Sequence, residues 1–411
     1  MKTMQAPSGL GIHYFADDRH YRAKDLELWI PELQSMGLRW LVLTGSLSLA
    51  IPEDFLRRLC DAGIEPVLTL DRDPIQPAPD VVESIFHSYR RAGVKFIAPY
   101  PSPNARASWP AGGSGFSPVR QFLEIFPPVA KLILAEGMTP VFPMLDPEGG
   151  YWSLAFLEAF LAGLDRTGSG ELARKMVLAV NFSARNRPLD WGSGGPTVWP
   201  DARPYLTPPG SQDHLGFQGY LWVDDVVRRT LGESLPMIGL KAGATVGDLT
   251  DTRYPPVDPM LHGEVNLQVA QIAAGSRFSA PVLGLCFWLL AAEDNDPAAS
   301  EAWFRNDGST LPIVDSLKRR SLAKNLQHPK GVPKALRHYL LLPQEPGSLS
   351  SRAWESVRNY LMAFQPVCGF SIDEACQAEK VTILGSTPST IAALRLRDCG
   401  CRVEYLAAER M

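Results

Sequence analysis

Eight short apolar runs recur between residues 10 and 289, each flanked by a stretch with helical spacing. They are Leu10–Phe15, Leu38–Leu43, Glu65–Leu70, Lys95–Tyr100, Thr139–Leu145, Met176–Phe182, Pro236–Leu240 and Val282–Leu289. Val, Ile, Leu and Phe run nearly unbroken in each, which is the pattern of strands buried on both faces. Apolar spacing predicts helices over Asp25–Met36, Pro52–Ala62, Asp80–Ala92, Pro118–Glu136, Tyr151–Leu164 and Tyr220–Leu231. Gly37, Gly63, Gly93 and Gly137 each stand between a helical segment and a strand. A glycine there is the expected helix stop in a left-handed conformation. Eight such units predict an α/β fold, a closed (β/α)8 TIM barrel over residues 1–330. The long connections 101–117, 183–217 and 242–260 follow strands four, six and seven, on the side where this architecture builds its sites.

Beyond residue 330 the pattern changes. Strands are expected over His338–Leu342, Lys380–Leu384 and Arg402–Leu406, with helices over Ser351–Phe364 and Pro388–Asp398. Ser371-Ile-Asp-Glu374 is a capping box that opens a further short helix. Residues 331–411 thus read as a small carboxy-terminal α/β domain. Val381-Thr-Ile-Leu-Gly-Ser386 runs from a strand into a glycine turn, but GxGxxG is absent and the segment reads as structural.

Composition narrows the function classes. The chain has 411 residues, 45% hydrophobic and 20% charged, ample for a large core. A net charge of −4, from 40 basic and 44 acidic residues, gives no electrostatic case for nucleic acid or an anionic membrane surface. No apolar run approaches the roughly 20 residues that span a bilayer. The first residues lack the apolar stretch of a signal peptide, so a cytoplasmic location is expected unless the natural start was trimmed. Six cysteines are too few for a disulfide scaffold; Cys60 and Cys286 read as core residues, and Cys399 and Cys401 as reduced thiols. Neither CxxC nor HExxH occurs, so no metal and no cofactor is expected.

The candidate chemistry lies at two strand ends, Tyr100-Pro-Ser-Pro-Asn104 and Gly239-Leu-Lys-Ala-Gly243, with Phe287-Trp288 closing the eighth run. Over residues 8–325 the chain resembles clan A glycoside hydrolases, (β/α)8 barrels with a catalytic glutamate at the ends of strands four and seven. The first segment is similar to Tyr-Asn-Glu-Pro-Asn with Pro101 and Ser102 in place of Asn-Glu. The second is similar to Gly-Thr-Glu-Gly-Gly with Lys241 in place of Glu. Trp288 stands where the clan commonly carries a sugar-stacking Trp. The resemblance implies a barrel whose two catalytic positions are degenerate. Retaining hydrolysis needs a carboxylate nucleophile and a carboxylic acid about 5–5.5 Å apart. Serine is too weak an acid to protonate a leaving oxygen, and an ammonium repels an oxocarbenium-like transition state.

Other readings stay open. Asp71 and Asp73 follow strand three, Asp146 and Glu148 strand five, and Glu293, Asp294 and Asp296 strand eight. They are turn formers and caps, or a relocated catalytic set centred on Asp71, Asp146 and Glu293. Lys241 is an ion-pair partner, an outward-pointing side chain, or a Schiff-base nucleophile. For a carbohydrate ligand, Tyr14, Trp109 and Trp288 supply flat apolar faces and His13, Asn104 and Asn181 supply hydrogen bonds. Trp152, Trp191 and Trp199 serve the same end or pack beneath loops. The expectation is a glycosidase-like barrel that binds carbohydrate or acts as a scaffold. The alternatives are an active hydrolase, a Schiff-base enzyme, and a protein-interaction role for the carboxy-terminal domain.

Overall fold

The computed structural model describes residues 9–73, 77–109, 117–203, 205–275, 278–327, 334–343, 351–384 and 401–406, with Leu396 and Cys399. Eight parallel strands close a barrel in sequence order. They are β1 Gly9–His13, β2 Leu38–Ser46, β3 Glu65–Asp71, β4 Phe96–Pro99, β5 Thr139–Phe142, β6 Val177–Ser183, β7 Met237–Gly243 and β8 Val282–Phe287. Around them run α1 Ala23–Ser35, α2 Glu53–Asp61, α3 Pro79–Ala92, α4 Pro118–Ala135, α5 Ser153–Arg166, α6 Gly170–Arg174, α7 Gly195–Val198, α8 Tyr220–Leu231, α9 Pro259–Ala274 and α10 Pro312–Gln327.

The unbroken apolar runs form the strands because each strand faces two cores. The barrel interior holds Trp40, Val42, Val67, Phe96, Ala98, Val141, Val177, Ala179, Ile238, Leu240, Leu283 and Cys286. A larger shell lies between strands and helices, where Phe122, Phe126, Phe142 and Phe160 form an aromatic cluster with centroids 5.0–6.1 Å apart. Gly37, Gly63, Gly93 and Gly137 stop their helices at φ of 73°, 76°, 96° and 77°, conformations a Cβ would strain.

Pairing of β7 is irregular on both sides. The β6–β7 register shifts between Val180 and Asn181, and the β7–β8 register between Gly239 and Ala242. The extra residue lets Leu240 join the interior while Ala242 joins the outer shell. Lys241 aligns with Asn181, and Asn181 continues the inward face of Val177 and Ala179.

The chain divides into two compact units, Met1–Arg319 and Arg320–Met411, with α10 running across the division. The change expected at residues 330/331 falls outside the described residues. In the second unit β9 Leu336–Leu341, β10 Val367–Gly369, β11 Ala378–Leu384 and β12 Arg402–Leu406 form a parallel sheet in the order β10-β9-β11-β12. α11 Ser351–Phe364 and α12 Ile372–Ala375 belong to it. Ser371 caps α12, its hydroxyl accepting from the Glu374 amide at 3.3 Å. Most of the expected helix Pro388–Asp398 lies outside the described residues. One expectation is overturned: Cys399 is not a thiol but is disulfide-bonded to Cys376, their Cα atoms 5.4 Å apart. The partner stands 23 residues away and is brought close by the sheet. Cys401 remains a buried thiol and accepts a hydrogen bond from Lys334 Nζ at 3.0 Å.

Candidate functional site

Alternation along the strands carries one inward side chain from several strands to the carboxyl-terminal rim. His13 ends β1, Thr44 and Thr69 meet across β2 and β3 at 3.5 Å, Asp71 ends β3, and Asn181 and Lys241 stand side by side on β6 and β7. Trp288 directly follows β8. Its ring meets His13 edge-on at 4.9 Å, and the Lys241 ammonium lies 5.7 Å from its centroid. Such a cation–π contact is worth about 0.5–1 kcal/mol at an exposed site. Trp288 Nε1 donates to Glu301 at 2.6 Å, which fixes the ring plane. His13 Nε2 donates to the Leu240 carbonyl. Burial, aided by the Lys241 charge, lowers its pKa to about 4 despite that bond, so the imidazole is neutral near pH 7. Gly243 ends β7 at φ 78°; a Cβ there would run into Asn266 Oδ1, which accepts from the Ala244 amide at 3.0 Å.

Three of the expected ligand contacts serve packing instead. Tyr14 is fully buried among Phe15, Tyr21, Trp29 and Phe55. Asn104, 1% exposed, donates to the carbonyls of Asp146 at 2.6 Å and Tyr151 at 2.9 Å, and accepts from the Asp146 amide at 2.9 Å. It ties the loop after β4 to the loop after β5. Trp109 is buried, donates to Pro103 O at 2.7 Å and lies under the Arg72 guanidinium at 4.9 Å. Ser102 stands past the end of β4 in a left-handed turn, φ 49°. Its amide donates to Met144 O at 3.2 Å and its carbonyl accepts from Ser108 Oγ at 2.8 Å.

Most of the acids act locally. Asp146 accepts from the Glu148 amide at 2.9 Å, as a turn former does. Glu148 pairs with Arg185 at 2.8 Å, and Glu293 with His20 at 2.9 Å. Asp73 takes the Leu47 amide and the Ser48 hydroxyl at 3.1 and 2.5 Å. Asp294 accepts from Asn306, and Asp296 from the Ala298 amide. Asp71 is the exception: its side chain opens at the rim, and partial burial with Asp18 and Asp73 nearby raises its pKa. Among the described residues no group of three or more His, Cys, Asp or Glu could hold a metal ion. No helix among them is long and apolar enough to cross a membrane.

Two features were not anticipated from the sequence. The first is a buried ionic staple between the long loops after β6 and β7. Arg187 pairs with Asp213 and Asp251, each at 2.9 Å, and its guanidinium covers Trp191 at 4.3 Å. Trp191 Nε1 and Thr207 also donate to Asp213, at 2.9 and 2.6 Å, and Arg253 pairs with Asp251 at 2.6 Å. Burial alone would raise Asp213, but Thr207, Trp191 and Arg187 bring it below the usual carboxylate range. Hydrogen bonds from Arg253, then Arg187, depress Asp251 further. The pairs Asp190-Trp191 and Asp251-Thr-Arg253 hint at local staples; Arg187 carries no sequence mark of its longer reach.

The second is a cleft of about 600 Å3, counting space open to solvent, between β5, β6, α5 and α8. Its walls are apolar, with Phe142, Leu157, Leu178 and Val223; Asn181, Ser183, Arg185 and His214 supply its polar groups. Burial lowers the His214 pKa to about 4. Nearby, Trp152 and Tyr205 are 50% and 65% exposed, their rings 5.1 Å apart.

No family model matches the chain. No curated protein matches it either. Among solved structures it is similar to a family 39 glycoside hydrolase from Bacteroides cellulosilyticus WH2, at 12% identity and TM-score 0.52, over 78% of this chain and 64% of that one. The chain therefore spans less than two thirds of that protein's length. Other matches are a monomeric β-xylosidase from Caulobacter crescentus CB15 (15% identity, TM-score 0.47, 76% of this chain, 67% of that one) and fungal β-1,4-galactanases (12%, 0.46, 70% and 89%). At such identity the first likeness speaks to fold. Together with the closed parallel barrel, it gives this chain a (β/α)8 barrel fold similar to that of this glycoside hydrolase.

Proposed function

We propose that the barrel binds carbohydrate at its carboxyl-terminal mouth and does not hydrolyse it by the retaining two-glutamate route. One observation carries this reading: β7 presents the Lys241 ammonium, and the segment after β4 presents Ser102 in a turn. Neither is a carboxyl group, and the route needs two. Asp146 and Glu293, two of the three alternative acids, are engaged with a turn and with His20. Binding has suitable surfaces. Trp288 offers a ring held in plane by Glu301, and the open Trp152–Tyr205 pair offers a second apolar platform for the C–H face of a sugar. The test is calorimetry against a panel of oligosaccharides, run beside hydrolysis assays on the same panel. The expected result is saturable binding with no turnover above the uncatalysed rate. Binding to no glycan refutes the proposal and leaves a scaffold.

A second reading, hydrolysis through Asp71, is favoured by its raised pKa and its place at the rim. Turnover that Asp71→Asn abolishes would establish it and end the non-hydrolytic reading.

A further inference from the structure

At the mouth, the side near β6 and β7 offers hydrogen-bond donors and a positive charge. Lys241 Nζ carries three N–H donors and no acceptor. Among the described residues it forms no ion pair and no hydrogen bond, and its contact is the Trp288 ring. Residues 1–8, 74–76, 110–116, 204 and 276–277 contain no Asp or Glu, so they bring the barrel unit no further carboxylate. Asn181, the register partner of Lys241, accepts the Ser183 amide with Oδ1 at 2.8 Å. That bond fixes the amide orientation and leaves both Nδ2 hydrogens without a described partner. Neighbouring strands run about 4.8 Å apart, so an ammonium and an amide NH2 on one face of β6 and β7 can meet a single small group. The other nearby groups do not compete for it. His13 Nε2 is spent on Leu240 O, and Trp288 Nε1 on Glu301. The rim acid Asp71, with Asp18 and Asp73 beside it, stands on β3, opposite β7 in the eight-membered ring. Asn181 also lines the cleft between β5, β6, α5 and α8, beside the mouth.

We propose that Lys241 and Asn181 form an anion-recognition subsite and that the barrel takes an acidic glycan, with a carboxylate or sulfate of one sugar ring held between them. An oxygen-rich anion complements donors that lack acceptors, and a charge-assisted hydrogen bond is the strongest contact this pair can make. A neutral sugar would leave the ammonium without a counter-charge. The inference rests on the carbohydrate-binding reading above and deepens it.

The experiment titrates the full chain with three tetrasaccharides: one of uronic acids, one sulfated and one neutral. It is repeated with Lys241→Gln, Lys241→Arg and Asn181→Ala, each checked for folding by thermal unfolding. Acidic ligands should bind, weaken roughly tenfold or more in Lys241→Gln, and be largely retained by Lys241→Arg. Their affinity for the unaltered chain should fall as salt rises, while that of the neutral ligand should not. The salt arm keeps the test decisive if Lys241→Gln does not fold. The two acidic arms identify which anion is preferred. Equal, salt-independent binding of neutral and acidic ligands would overturn the anion subsite and leave the carbohydrate reading standing. Binding of none of the three, or of any wider glycan panel, would overturn both.

Discussion

His262 sits on α9 with no exposed surface, and neither ring nitrogen has a described partner. Burial lowers its pKa to about 4. His13 and His214 are lowered to about 4 mainly by the same cause. An unfolded histidine titrates near 6.5. Between about pH 6.5 and 4 the unfolded chain therefore binds protons that the folded chain refuses. Stability is complete above that window and falls as pH drops through it, by at most about 1.4 kcal/mol per pH unit for each histidine. His262→Leu should remove about one histidine's share of the slope and cost little at pH 7.5, because a buried imidazole without partners is itself unfavourable. Urea denaturation at pH 7.5 and 5.0 measures both effects; an unchanged slope would contradict the assignment. Single residues were also where the sequence reading was least informative. Tyr14, Asn104 and Trp109 are residue types that suit a sugar site, yet each spends its surface or polar groups inside the protein. Type and strand-end position alone do not separate a loop brace from a ligand contact.

Among the elements, the helices and strands that were legible are those with a continuous apolar face and a glycine stop. Tyr220–Leu231 has the expected bounds, and the eight apolar runs fall on the eight barrel strands. α9 was not singled out because its buried face carries His262, Gly263 and Asn266 beside Val269 and Ala273, so its apolar stripe is broken. The bulge in β7 was likewise invisible, since alternation has no mark for an inserted residue, yet it aligns Lys241 with Asn181. The loops after β6 and β7 show the energetic side of such long-range order. Asp213 and Asp251 are each 6% exposed and share Arg187, itself 11% exposed. Arg187→Ala would leave buried carboxylates short of their counter-charge, and a loss of about 3–5 kcal/mol is expected in urea denaturation. A loss under about 1 kcal/mol would mean that the loops rearrange and the staple is not structural.

The molecule as a whole joins a barrel unit to a smaller parallel-sheet unit. The second unit carries the Cys376–Cys399 disulfide, closing a separation of 23 residues, which is worth roughly 3 kcal/mol by chain-entropy arithmetic. Alkylation of the unfolded, unreduced chain should label four of the six cysteines, and reductant should lower the unfolding midpoint of the second unit. Labelling of all six would remove the disulfide. The (β/α)8 architecture was readable along the chain because each unit repeats a local signal: an apolar run, a helical period and a glycine with positive φ. Those signals depend on neighbours within a few residues, where backbone geometry and burial leave a periodic imprint. The site was readable only as a set of candidates. Which acids are spent on turns, which loops Arg187 fastens, which cysteine Cys399 meets and which donors remain open beside Lys241 are settled by contacts between residues far apart in sequence. Such contacts leave no periodic trace, because folding in three dimensions brings the partners together.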